Sequence, residues 1–215
     1  TGTIAFLIAA DVANPPASWA DLLKGDYKVS MGMVGSGAQD NAAALAAAIA
    51  MGGSESDLRP GVELFAKLAE QGRLLANGVN PAMMEKGEVQ VAPIWDFNAL
   101  NYRDVVGRDK FKVVIPADGS VTSGYATIIN KYAKQPNAAK LAREYILSDA
   151  GQINLANGYA RPIRVERLTL PAETTEKLLP AEQYAKARPI NPALWTKTEA
   201  TELTRLWREL VVPKL

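Results

Sequence analysis

Val34 to Gly53 reads VGSGAQDNAAALAAAIAMGG, and the order of residue types in it decides the fold. A loop of small residues runs directly into an alanine-rich stretch that propagates an α-helix well, and Gly52 and Gly53 supply a left-handed stop. Ser36 and Gln39 stand at the S-x-x-Q spacing of a capping box, in which the two side chains satisfy backbone amides of the first turn. Upstream, Tyr27 to Val34 (YKVSMGMV) is a short apolar run that suits a buried strand. The unit is therefore strand, glycine loop, helix. Open α/β sheets bind ligands at the carboxyl ends of their strands, and a helix start exposes backbone donors that can hold an anion. Ser36, Gly37 and Ala38 are candidate ligand contacts on this ground; the alternative is a tight turn in which Ser36 only caps.

A chain of 215 residues, 48% of them hydrophobic, can bury a sizeable core as one large domain or two small ones. Twenty-four basic residues against 23 acidic ones give a formal charge of +1, and no block of like charge favours nucleic acid or an anionic membrane. The chain has neither cysteine nor histidine, which removes thiol and Ser-His nucleophilic chemistry and the usual nitrogen and sulfur ligands of zinc. An enzyme would have to work with carboxylates, tyrosine or a lysine such as Lys110 or Lys112, and no constellation of such residues stands out. No metal or other cofactor is implied. The lack of cysteine fits an oxidising compartment. Thr3 to Val12 is apolar, too short to span a bilayer, and not preceded by the basic residues of a signal peptide, so it reads as a strand.

Asn14-Pro-Pro-Ala breaks that strand, and Ser18 caps a short helix through Leu23. A helix starting at Asp57 and Pro60 turns Leu64, Phe65, Leu68 and Ala69 inward. Glu88 to Ile94 is a strand, and Pro93 near its end places the following Trp95-Asp96-Phe97-Asn98 at the sheet rim. Trp95 and Asp96 are the second pair of candidates: an indole can lie against a methylene chain or a cation, and a carboxylate can pair with an amine. The alternative is that Asp96 caps the next helix and Trp95 packs in the core. Phe111 to Ile115 and Tyr125 to Asn130 read as two further strands. Pro136 starts a helix with Ala139, Ala142, Tyr145 and Ile146 on one face, and Ser148 caps the next. From Arg161 the chain is punctuated by prolines, and its last helix places Leu203, Leu206, Trp207 and Leu210 at core spacing.

Five segments carry a resemblance: Pro15-Pro-Ala-Ser-Trp-Ala-Asp-Leu-Leu23, Gly87-Glu-Val89, Ile115-Pro-Ala-Asp-Gly-Ser120, Tyr145-Ile-Leu-Ser-Asp-Ala-Gly-Gln152 and Gly158-Tyr-Ala-Arg-Pro-Ile-Arg164. In this order they resemble the periplasmic solute-binding proteins of bacterial ABC importers, in the two-lobed class of polyamine, ferric-iron, thiamine and phosphonate binders. The resemblance implies an α/β fold of the type II periplasmic-binding kind, with two lobes joined by crossover strands. Residues 1–17 then form a crossover strand and linker, 18–108 lobe two, 109–160 the returning half of lobe one, and 161–215 a helical tail packing back on lobe two. The N-terminal half of lobe one has no counterpart in the chain, so lobe one is expected to be incomplete.

The implied function is the substrate-binding component of an ABC importer. Such a protein captures a small polar solute, here a polyamine-like amine or an organophosphate or aminophosphonate, in an interlobe cleft and presents it to an inner-membrane permease. No bond is made or broken, no nucleic acid takes part, the location is periplasmic with the export signal outside this chain, and the full-length protein is expected to be a monomer. By family analogy the Gly35 to Ala38 loop contacts ligand, Trp95 does so as in polyamine binders, and Ser123, Gly124 and Tyr125 face the cleft. Ferric members carry neighbouring tyrosines near this rim, whereas this chain has Trp-Asp-Phe-Asn and an isolated Tyr102, so iron is disfavoured. Arg161 and Arg164 could clamp an anion, though arginines in a tail are usually solvated or ion-paired. A transcription regulator's effector-binding module, which shares the architecture, is the alternative and would need a separate DNA-binding piece.

Overall fold

The computed structural model describes residues 1–215. Gly2–Ala9 (β1) is buried along all 8 residues, and both of its edges are paired. Val29–Ser30 (β2) lies parallel to Leu74–Leu75 (β3) on one side and to Val91–Trp95 (β4) on the other. β4 runs antiparallel to β1, with Ile4 opposite Trp95 and Ile8 opposite Val91. The other edge of β1 is shared: Phe111–Val114 (β5) pairs with Phe6 to Ala9, and Ser120–Ser123 (β6) with Gly2 and Thr3. Ala187–Pro189 (β7) adds in parallel to β6.

Side chains alternate faces along a strand, so β1 feeds two cores. Ile4, Phe6 and Ile8 enter a cluster of 32 buried residues, while Ala5, Leu7 and Ala9 enter one of 14. Ala38–Ala50 (α1) and Arg59–Glu70 (α2) cover the larger; Pro81–Glu85 (α3) and Asp96–Val106 (α4) cover the smaller. The alanine run of α1 is buried from Ala42 to Ala48, as expected of a helix apolar all round, and packs against α2, β1, β4 and β6. Small side chains let the helix backbones come close. A Cβ on Gly61 of α2 would stand 2.3 Å from the Ala48 amide nitrogen and 2.7 Å from the Ala44 carbonyl oxygen.

The rest of the chain contains Pro136–Leu147 (α5), Asp149–Asn157 (α6), Ala172–Thr175 (α7), Pro192–Thr198 (α8) and Thr204–Leu210 (α9), with a π-helical turn, Glu199–Leu203, between the last two. Leu206 and Trp207 of α9, with Val211, join the larger core. The Trp207 ring lies 5.5 Å from Phe65, which is 6.3 Å from Trp19, which meets Phe6 of β1 edge-on at 4.9 Å. This aromatic column ties the last helix to the first strand.

Phe111 to Val114 is a strand, as the sequence suggests, and is hydrogen-bonded to β1 in the central sheet. Two expectations change. Tyr125 to Asn130 is not a strand; the strand is Ser120–Ser123, because that segment has β1 and β7 beside it and the later one has no partner. The apolar face of α5 is uncovered: no residue of the helix is buried, and Leu141 and Tyr145 are 73% and 52% exposed, as are Ile128 (89%) and Tyr132 (80%). An amphipathic helix buries its stripe only against a second layer, and α5 packs on α6 rather than on the sheet.

Gly61→Ala should lower stability by about 1–3 kcal/mol, because its methyl group meets backbone that cannot swing aside. Chemical denaturation checks this, and a midpoint equal to the parent's would contradict the close α1–α2 crossing.

Candidate functional site

Two helices begin at the same end of the sheet. α1 follows the glycine loop, with Gly37 as its capping residue, and α4 starts directly from Trp95, the last residue of β4. Gln39 in the first turn of α1 joins them: its Oε1 accepts from the Trp95 amide at 3.2 Å and from Asn98 Nδ2 at 2.8 Å. A backbone amide can only donate, so the carboxamide oxygen faces Trp95 and Nε2 is turned away with its hydrogens free. The amides of Ala38 and Gln39 have no acceptor within the protein, as the first turn of a helix leaves them.

An aromatic wall adjoins these donors. Trp95 and Phe97 stack with centroids 6.3 Å apart, and Tyr125 meets Phe97 edge-on at 6.0 Å. Trp95 is only 5% exposed and is part of the larger core, as the packing alternative has it, whereas Tyr125 is 67% exposed and forms the open end of the wall. Ser123 sits opposite Gly2 in the β6–β1 ladder, and a Cβ on Gly2 would lie 2.6 Å from the Phe97 ring and 3.2 Å from Trp95. Gly37, Ala38, Trp95, Ser123 and Tyr125 are thus gathered on one rim, through Gln39 and Phe97.

Two candidates are placed differently. The capping box does not form, because α1 starts one residue later than Ser36 and Gln39 would require. Ser36 instead donates to the Met33 carbonyl at 3.4 Å and lines a separate cavity of about 400 Å³ with Met33, Trp207 and Arg208. Asp96 has no exposed surface and is not open to a ligand. Its Oδ1 accepts from the amides of Thr3 and Phe97, both at 2.9 Å, and its Oδ2 from the Tyr184 hydroxyl at 2.8 Å. Asp96, the first residue of α4, therefore takes up a free amide of that helix's own first turn and ties the helix to β1. The two tail arginines are occupied as well: the Arg161 guanidinium lies 4.2 Å over the Tyr184 ring, and Arg164 pairs with Asp149 at 2.9 Å.

Burial raises the pKa of Asp96 against the pull of its hydrogen bonds, and burial likewise raises that of Asp40, whose Oδ1 accepts from the Gly32 amide at 2.7 Å. Neither carboxylate has a lysine or arginine in ion-pair contact. Burial, then the Asp96 charge, lifts the Tyr125 hydroxyl pKa. The rim therefore combines backbone and carboxamide donors with an aromatic wall near the buried Asp96, while Asp40 lies under the glycine loop. That arrangement offers hydrogen-bond donors and ring faces and contains no paired nucleophile and base. No group of three or more acidic side chains is placed to hold a metal ion. Sequence reasoning missed Gln39, Asn98 and Tyr184 as organisers of the rim; only Phe97, beside Trp95, had a local signal.

Both carboxylates bind protons more readily folded than unfolded. Between the ordinary carboxylate value and the raised one, stability therefore falls as pH rises. Asp40→Asn keeps an acceptor for Gly32 and removes the charge, so the melting temperature at neutral pH should rise by about 2–4 °C, roughly 1 kcal/mol. The gain should vanish as pH falls toward about 4, and a gain independent of pH would contradict the assignment. Asp96→Ala leaves the Thr3 amide and the Tyr184 hydroxyl unmet and should cost about 2–3 kcal/mol in denaturant unfolding.

A sequence profile described as "Bacterial extracellular solute-binding protein" matches residues 2–196. The sulfate-binding protein of Escherichia coli (strain K12) is 27% identical over 90 residues, which are 40% of this chain and 27% of that protein. A putative extracellular solute-binding protein from Bordetella parapertussis has a similar structure, with a TM-score of 0.75, 16% identity, and coverage of 98% of this chain and 67% of that one. So has a spermidine/putrescine ABC transporter substrate-binding protein from Streptococcus pneumoniae, with a TM-score of 0.64, 17% identity, and coverage of 97% and 66%. The fold is shared while the ligands named differ in charge, and none of these relatives supports the regulator alternative. They are binding proteins rather than enzymes, and with the profile spanning nearly its whole length this chain belongs to the bacterial extracellular solute-binding proteins.

Proposed function

We propose that the chain forms one wall of the binding cleft in the substrate-binding component of an ABC importer, and that it captures a small amine-bearing solute without making or breaking a bond. The observation that carries this reading is the Gln39 carboxamide, whose oxygen joins Trp95 and Asn98 and so brings the free amides of Ala38 and Gln39 beside the aromatic wall. An ammonium group or methylene chain on the ligand lies against Trp95, Phe97 and Tyr125, where ring faces and the buried Asp96 favour positive charge. An acceptor group on the ligand takes the amides. A polyamine-like amine fits this best. An aminophosphonate or organophosphate is the second reading, favoured by the free amides and opposed by the uncompensated carboxylate of Asp40.

The opposite wall comes from the part of the two-lobed fold that this chain does not span, about a third of the structural relatives' length. The uncovered apolar residues of α5 and of Ile128 and Tyr132 support that reading, since they are the surface such a part would cover. Closure of the two walls on the solute presents it to a permease in the inner membrane, which places the protein in the periplasm.

Thermal unfolding of the whole protein with spermidine, 2-aminoethylphosphonate, fructose 6-phosphate and sulfate tests the reading. At a hundredfold excess over its dissociation constant a true ligand stabilises by about 2.7 kcal/mol, or about 5 °C or more. The amines should give the shift and Trp95→Ala should remove it. A shift with sulfate alone, or one untouched by Trp95→Ala, would contradict the proposal.

A further inference from the structure

The glycine loop that leads into the free amides of α1 is held from the far end of the chain. The Gly35 amide donates to Asn41 Oδ1 at 2.7 Å, and the same carboxamide donates through Nδ2 to Glu199 Oε1 at 2.8 Å. Asn41 is buried, and its two partly buried bonds, one accepted and one donated, fix the orientation of its carboxamide. Glu199 opens the π-helical turn, an insertion in the helical repeat that often marks a functional position. Thr204, just past that turn, closes on the loop as well. Gly35 has φ +96°, and a Cβ there would lie 2.6 Å from Thr204 Oγ1, so only glycine fits the space and the conformation.

We propose that Glu199 is a positioning residue for the ligand rim. Through Asn41 it fixes the Gly35 amide, and with it the loop whose last residues set where the Ala38 and Gln39 amides point. Glu199 itself is placed to touch Asn41, not solute. The ligand consequence rests on the function proposed above; the tether does not, since it is a property of the free protein.

Residue-resolved amide exchange by NMR tests the tether directly, because the Gly35 amide is the bonded group. Glu199→Ala should speed exchange at Gly35 by about tenfold while amides of α2, such as Phe65, keep their parental rates. Glu199→Gln retains an acceptor for Asn41 Nδ2 and should restore slow exchange, which a general loosening of the tail would not. Parental exchange at Gly35 in Glu199→Ala, equal acceleration in α2, or failure of Glu199→Gln to rescue would each overturn the proposal. In the whole protein, spermidine affinity should fall about fivefold in Glu199→Ala and return in Glu199→Gln; unchanged affinity in Glu199→Ala would overturn the positioning role. Failure of the parental protein to bind spermidine counts instead against the amine reading, and the exchange rates then decide the tether alone.

Discussion

β1 is the member on which everything else depends, because both of its faces are buried and both of its edges are hydrogen-bonded. A strand in that position cannot slip by one residue without turning Ile4, Phe6 and Ile8 out of one core and Ala5 and Leu7 out of the other. Its register fixes β4, and the end of β4 fixes where α4 begins. The Thr3 amide completes the lock by donating to Asp96 at the start of that helix. Burying a carboxylate with no lysine or arginine beside it is costly, and three hydrogen bonds to its oxygens offset the loss of water. The binding rim thus inherits its rigidity from the most deeply buried strand.

On that support the rim presents recognition rather than reaction chemistry. Gln39 sets two helix starts side by side and exposes donors, while Trp95, Phe97 and Tyr125 offer ring faces graded from buried to open. The acids are buried, Asp96 at the start of α4 and Asp40 under the glycine loop. A solute-binding protein needs selectivity and reversible release, and a rim of neutral donors and aromatic surface provides moderate, oriented contacts without a reactive group. The glycine loop, held by Asn41 and Glu199 and pressed by Thr204, is ordered by the tail before any solute arrives.

Much of this was legible in the residues because local rules were obeyed. The alanine run, the prolines at helix starts and the apolar stretch after Tyr27 each carry their own signal. Pro93 lies in the middle of β4, opposite Phe6, and Trp95 ends that strand. The misses share one cause, which is that distant partners decide them. Whether Ser36 or Gly37 caps α1 turns on a single residue, and the choice is settled by Gln39 reaching across to Trp95. Asp96 offered two readings of equal local merit, a ligand contact or a helix cap, and Thr3 and Tyr184, far off in sequence, instead bury it as a tie between the first turn of α4, β1 and the tail. Tyr125 to Asn130 has the composition of a strand and lacks a neighbour to pair with. The tether from Glu199 to Gly35 joins residues with no local signal at all.

The most direct measurement is a crystal structure of the whole protein with the solute it retains on purification. The account predicts electron density for that solute within hydrogen-bonding distance of the Ala38 or Gln39 backbone nitrogen and in van der Waals contact with the Trp95 or Phe97 ring. Density seated instead in the cavity between Met33, Trp207 and Arg208, or anywhere that leaves those amides and rings untouched, would contradict it.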